Sequence, residues 1–296
     1  MNFGFSQKFS FISYSTNQGL AQSQVNDIAQ DSKKYLWIAT LDGLSKFNGI
    51  TFKNYYTTEG LVSNTINTIS IDNQDNVWAV TDQGISIVSG DSIMAFAHNK
   101  MLEDAEILEV IHHENKIWIS TFQKGIYCFK KNKKGEFELY HIFKKLIEES
   151  EVMDIYRDGH KIYIATNTGL YCILNSEITK VFLPVELNLT SVGVTDLGKI
   201  WLGTLEDGLC FLDKNSIDSI TQENSNLVNG FITSLFVDRD GNAWACSNTA
   251  LSKVTQNKQV ENYTAKNGFE GVPRVVFQDT EGNFWIGTNG SGLIKF

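Results

Sequence analysis

The stretch Tyr35–Phe47 (YLWIATLDGLSKF) constrains this chain more than any other feature, because the chain writes it seven times. Each copy opens on an aromatic anchor: Trp37, Trp78, Trp118, Tyr163, Trp201, Trp244 and Trp285, a set that uses all six tryptophans. Successive anchors lie 41, 40, 45, 38, 43 and 41 residues apart, the period of a four-stranded propeller blade. Two residues past the anchor the side chain is mostly small: Ala39, Val80, Ser120, Ala165, Gly203, Cys246 and Gly287. Three past it stands a hydroxyl: Thr40, Thr81, Thr121, Thr166, Thr204, Ser247 and Thr288. A turn glycine follows at Gly43, Gly84, Gly125, Gly169, Gly208 and Gly292, with Ala250 in the sixth copy, where the turn is expected to be built differently.

An apolar strand precedes each anchor, beginning with Val25–Gln30 and ending with Arg274–Gln278, and these inner strands read as continuously apolar. A third strand follows each turn, and a more polar outer strand follows that, as in FKNYY, FELYHIF and VENYT. The seventh unit stops at Phe296 after its third strand, while an unassigned strand, Phe9–Tyr14, opens the chain. The expected fold is therefore all-β: a seven-bladed β-propeller of four-stranded blades, closed by Phe9–Tyr14 completing the last blade. Residues 1–296 read as one domain, with 1–8 as a signal-peptide remnant or tag. The crossover Tyr140–Val152 has helical spacing at Ile142, Leu146 and Ile147 and is expected to form a short helix over the rim.

A net charge of −9 argues against a nucleic-acid partner, whose phosphates need clustered Lys and Arg. The one basic cluster, Lys130, Lys131, Lys133 and Lys134, surrounds Gly135 and reads as a solvated hairpin tip. Apolar runs are strand-sized, too short for direct membrane insertion. Cys128, Cys172, Cys210 and Cys246 lie in predicted strands of four different repeats and read as buried free thiols. The turns DNQDN, DRDGN and DTEGN open as an EF-hand loop does but lack its later bidentate Glu, so they read as Asp/Gly hairpin turns. No cofactor and no metal site is assigned.

The repeat pattern, with GL, then N.I..I..D..G..W.GT..GL..F and F..Y, resembles the two-component regulator propeller repeats. It is strongest at Asn17–Phe47, Glu59–Thr81, Asn226–Thr249 and Gly268–Phe296. Repeats three to five carry it more weakly; three and four lack the turn Asp, and the fourth has Tyr163 for Trp. The resemblance implies the periplasmic sensor region of a bacterial hybrid two-component histidine kinase. It further implies a carbohydrate-type ligand, an oligosaccharide or other small molecule, and a signal passed to a separate kinase region. The rest of that membrane sensor kinase would be the partner, with a homodimer formed through the full-length protein. The chain itself carries no kinase motif.

Ligands favour the concave mouth of a central channel. On the face bearing the turns between second and third strands, the residues expected at the mouth are Asp42, Asp82, Lys124, Asn167, Glu206, Asp207, Asn248 and Asn289. The crossovers add Asn64, Asn229 and Arg274. Asp and Asn are also what turns prefer for local reasons. No catalytic residue is assigned. Two alternatives stand beside the sensor: a protein-interaction scaffold, and a metal-dependent lyase of the streptogramin-lyase type, which would hold its ion at the mouth through His98 or His141.

Overall fold

The computed structural model describes residues 10–143, 150–214 and 216–296, and these build seven antiparallel four-stranded sheets. Six sheets follow chain order. In the seventh, Ile12–Tyr14 pairs with Leu293–Lys295, so the N-terminal strand closes the ring as expected. The described strand begins at Ile12; Phe9 lies outside the described residues. The Tyr14 ring sits 5.1 Å from Phe47 and 5.9 Å from Trp285, so aromatic burial reinforces the main-chain closure.

The second strand of each blade is the core. Leu36–Thr40, Val77–Thr81 and Ile200–Thr204 are buried at every residue, because neighbouring blades cover both faces. Small residues after the anchor are required by that closeness: a Cβ on Gly287 would meet Val25 of the first blade at 2.5 Å. All seven hydroxyls have one job. Thr40 Oγ1 donates to the carbonyl of Gly43 at 2.7 Å, and the other six hydroxyls make the same bond at 2.7–2.9 Å. Ser247 makes it to Ala250, whose turn dispenses with the positive φ of the six glycines.

The inner strands differ from expectation in part. Val25–Gln30 is buried only at Val25 and Ile28 and Ile66–Ile71 only at Ile66 and Ile69, whereas Leu189–Val194 is buried throughout. Ile142 belongs to the outer strand Phe137–Phe143, not to a helix, and Leu146 and Ile147 lie outside the described residues. The lysine cluster does sit at a hairpin tip, with Lys133 and Lys134 exposed beside Gly135. Cys128, Cys210 and Cys246 are buried free thiols, while Cys172 is half-buried. Burial pushes Cys128 up to about 11 and Cys246 up to about 12, so neither is a nucleophile at neutral pH.

Candidate functional site

The turns between second and third strands and the crossovers share one face, here the top. The structure joins some of the expected residues there and leaves others apart. Asn64 Nδ2 donates to Asp42 at 3.0 Å, while Asn64 Oδ1 accepts the N–H of Thr57. Asn167 exchanges two bonds with Glu151, and Gln123 reaches the other Glu151 oxygen at 3.3 Å. Glu151 thus bridges the turns of blades three and four, a role its place in a crossover did not announce. Lys124 lies 3.7 Å from Asp104 on the surface, and Asn229 caps Phe231 N and reaches Thr249 at 3.3 Å. Asp82, Glu206, Asp207, Asn248 and Asn289 stand exposed on four turns, Glu206 and Asp207 sharing one. Arg274 is the exposed bulge residue of the seventh inner strand, between Pro273 and Val275.

Below that mouth lies a ring not anticipated. Opposite the small residue of each second strand, the inner strands place Asp27, Thr68, Glu109, Asp154, Ser191, Ser234 and Val275. Asp27 accepts from Thr68 Oγ1 at 2.7 Å and from Ile69 N at 2.8 Å, and Asp154 accepts from Val192 N at 2.9 Å. Each carboxylate therefore ties its blade to the next. Burial raises all three carboxyls, and repulsion from neighbouring acids adds to it at Glu109 and Asp154: Glu109 goes well above its ordinary value and Asp154 goes to about 7. In the sequence these acids stand nine or ten residues before the anchor, and the bulged pairing brings them to one register.

The opposite, bottom face divides the blades into two kinds. In blades one, two, six and seven a five-residue loop joins the first two strands and begins with Asp31, Asp72, Asp238 or Asp279. One oxygen of that Asp accepts backbone N–H groups of its own loop; the other accepts the indole Nε1–H of Trp37, Trp78, Trp244 or Trp285 at 2.8–3.3 Å. For Asp279, burial opposes ionisation, but the Trp285 and Asn283 bonds outweigh it and hold the carboxyl below its usual range. The turn Asp is thus also the acceptor for the anchor. In blade five, Thr195 replaces it and Trp201 turns to the carbonyl of Gly241 in the next blade at 3.1 Å.

Blades three and four instead use two-residue hairpins, 114–115 and 159–160. Glu114 and Gly159 take positive φ there, as tight hairpins demand. The strands run on where other blades loop, so His112 and Arg157 occupy the Asp position. His112 Nε2 lies 3.0 Å from Ser70 Oγ, and burial depresses its pKa to about 4. Arg157 donates to the carbonyl of His112 at 3.2 Å. Trp118 is left with a buried indole N–H that has no acceptor among the described residues.

Clefts open on this bottom face between blades. One of about 310 Å³ is lined by Asp72, His112, His113, Lys131, Phe137 and Arg157. A smaller one, about 120 Å³, runs between His113, Glu114, Trp118 and His160. A third, about 410 Å³, lies at the closure seam between Tyr14, Tyr35, Asn48, Glu281 and Lys295. His98 and His141 do not fit the lyase arrangement. His98 Nε2 lies 2.6 Å from the carbonyl of Phe137, and His141 is exposed on the same outer strand, away from the channel mouth.

A sequence model described as the two component regulator propeller matches residues 19–42. Over 45 residues the chain is 53% identical to histidine kinase P4 of Formosa agariphila, a stretch amounting to 15% of this chain and 3% of that protein. The extracellular domain of a hybrid two component system from B. thetaiotaomicron is similar with a TM-score of 0.77 at 22% identity, covering 96% of this chain and 41% of that one. A second such domain from the same organism gives 0.79 at 20% identity, with 98% and 39% covered. Streptogramin B lyase gives 0.74 at 12%, with 96% and 97% covered. At these identities the likeness to solved structures speaks for the fold. The chain spans about two fifths of these two extracellular domains. It is a seven-bladed propeller that matches the two component regulator propeller over residues 19–42 and resembles extracellular domains of two-component systems. Among the described residues no helix is long and apolar enough to cross a membrane.

Proposed function

We propose that this propeller is a non-enzymatic ligand-sensing module of a two-component signalling protein, working on the periplasmic side and reporting to a separate kinase region. The observation that carries this reading is the 53% identity to a histidine kinase over 45 residues, together with the regulator propeller repeat at residues 19–42. The ligand class we assign is an oligosaccharide, held at the top face. That face offers both donors and acceptors: the Arg274 guanidinium, the exposed Asp82 and Asn289, and the Asp42–Asn64 and Asn167–Glu151 pairs. In the full-length protein, ligand occupancy would be relayed through a paired arrangement of two chains.

The test is calorimetry against an oligosaccharide panel. A saturable heat without turnover, weakened by Arg274→Ala and by Asp42→Ala and unchanged by Tyr35→Ala in the seam cleft, is the expected result. Binding that depends on Tyr35 and ignores Arg274 would move the site to the opposite face. Product formation in place of simple binding would overturn the sensor reading.

A further inference from the structure

The bottom face carries one convergence of ligating atoms that owes nothing to the channel mouth. His113 and Glu114 stand at the hairpin of blade three, and His160 at the hairpin of blade four, so two tight turns bring together residues 47 positions apart. His113 Nε2 lies 3.4 Å from His160 Nδ1 and 3.9 Å from Glu114 Oε1, and one atom from each of the three falls within 4.8 Å of the others. Two ligands roughly 2.1 Å from a tetrahedral zinc ion lie about 3.4 Å apart, so the imidazole pair already has the separation such an ion imposes.

A second observation comes from the wall of the same cleft. Trp118 is 3% exposed, lines the cavity with His113, Glu114 and His160, and its indole N–H has no acceptor among the described residues. In four other blades that N–H is satisfied by a carboxylate. A buried donor without a partner costs on the order of 1–3 kcal/mol, which gives an incoming acceptor something to satisfy.

We propose that His113, Glu114 and His160 form a site for a divalent transition-metal ion, zinc by ligand type, that clamps blade three to blade four. Two imidazoles and one carboxylate leave a further coordination position, and an oxygen there supplies the acceptor that Trp118 lacks. Arg157 works against the ion. Its guanidinium donates to His113 Nδ1 at 3.1 Å, which holds the proton of that ring on Nε2. Ion binding transfers the ring proton to Nδ1 through solvent and breaks that contact, with no net proton released. Arg157 keeps its bond to the carbonyl of His112. Lys116, which lines the same cleft, adds a second positive charge. The site is therefore predicted to be restrained by its neighbours.

The experiment is a titration of the metal-stripped chain with zinc alone, followed by calorimetry and by melting temperature. Expected are saturation at one ion per chain and a higher melting temperature with zinc. His160→Ala and His113→Ala should each weaken binding by roughly tenfold or more, Glu114→Gln by less, and Arg157→Met should tighten it. His160 and Glu114 are exposed, so their variants keep the question open to test if His113→Ala fails to fold. Saturable binding that survives both histidine substitutions, absence of saturable binding, or stabilisation by inorganic phosphate and not by zinc would each overturn the proposal. The outcome is independent of the sensor reading, whose ligand sits on the other face.

Discussion

Blades one, two, six and seven and blades three and four start from the same repeat and part company at the bottom face. The first group loops over five residues and returns an Asp to the anchor indole. The second turns in two residues, loses the Asp, and lines its clefts with histidines and an arginine. The lesson concerns division of labour. Where the repeat is intact its polar residues are consumed by construction. Where it lapses, chemistry-bearing side chains are left over.

The largest way to break this comparison is Asp279→Ala. It removes the acceptor for Trp285 Nε1, for Asn283 through both backbone and side chain, and for the backbone of Glu281. A loss of about 4 kcal/mol is expected, because buried donors are left unpaired. Denaturant unfolding would measure it; a loss under about 1 kcal/mol would show the tie to be ornamental.

Glycine substitutions sharpen the contrast at the turns. Gly292 and Gly169 both have positive φ, +82° and +126°. A Cβ on Gly292 meets the Tyr14 carbonyl oxygen at 2.1 Å, whereas on Gly169 it meets only the flexible end of Lys180 at 3.3 Å. Gly292→Ala should therefore cost about 3 kcal/mol and open the closure seam, and Gly169→Ala about 1 kcal/mol. Equal melting temperatures would contradict the account of closure.

The channel acids predict a pH effect. Asp154 is raised from 3.8 to about 7 by burial, with Asp27 and Glu109 facing it, so the fold favours its protonated form. That contribution is fully present below pH 4 and is lost as pH rises through about 7. Asp154→Asn keeps an acceptor for Val192 N and removes the charge, so it should flatten the decline and stabilise the protein above pH 7 by about 2 kcal/mol. A variant as pH-sensitive as the parent would exclude Asp154 as the source.

The smallest effect compares two tryptophans. Trp118→Phe removes a donor that has no acceptor, while Trp285→Phe strands the carboxylate of Asp279. The first should cost about 1 kcal/mol less than the second despite similar burial.

The ring, the blade order and its closure were legible because they are written seven times, and comparison of copies separates what each position needs. Trp37, Thr40 and Gly43 gave themselves away as construction in this manner. Asp31 and its counterparts were half read: an acid before a turn suggests the turn, and the indole six residues on gives no local sign of the bond. The inner strands misled because their apolar pattern concealed Asp27, Glu109 and Asp154, whose register emerges only when the bulged pairing is known. The meeting of His113 with His160 depends on two hairpins shortening together in adjacent blades. No spacing within a single repeat encodes it.

The central claim, that an Asp tie divides the blades, is open to one direct measurement: hydrogen exchange of the six tryptophan indole N–H groups, resolved by NMR. The account predicts slow exchange and hydrogen-bonded shifts for Trp37, Trp78, Trp244 and Trp285 on carboxylates and for Trp201 on the Gly241 carbonyl. Trp118 alone should resonate as an unbonded indole and exchange fastest. Six indoles alike in shift and protection would contradict it.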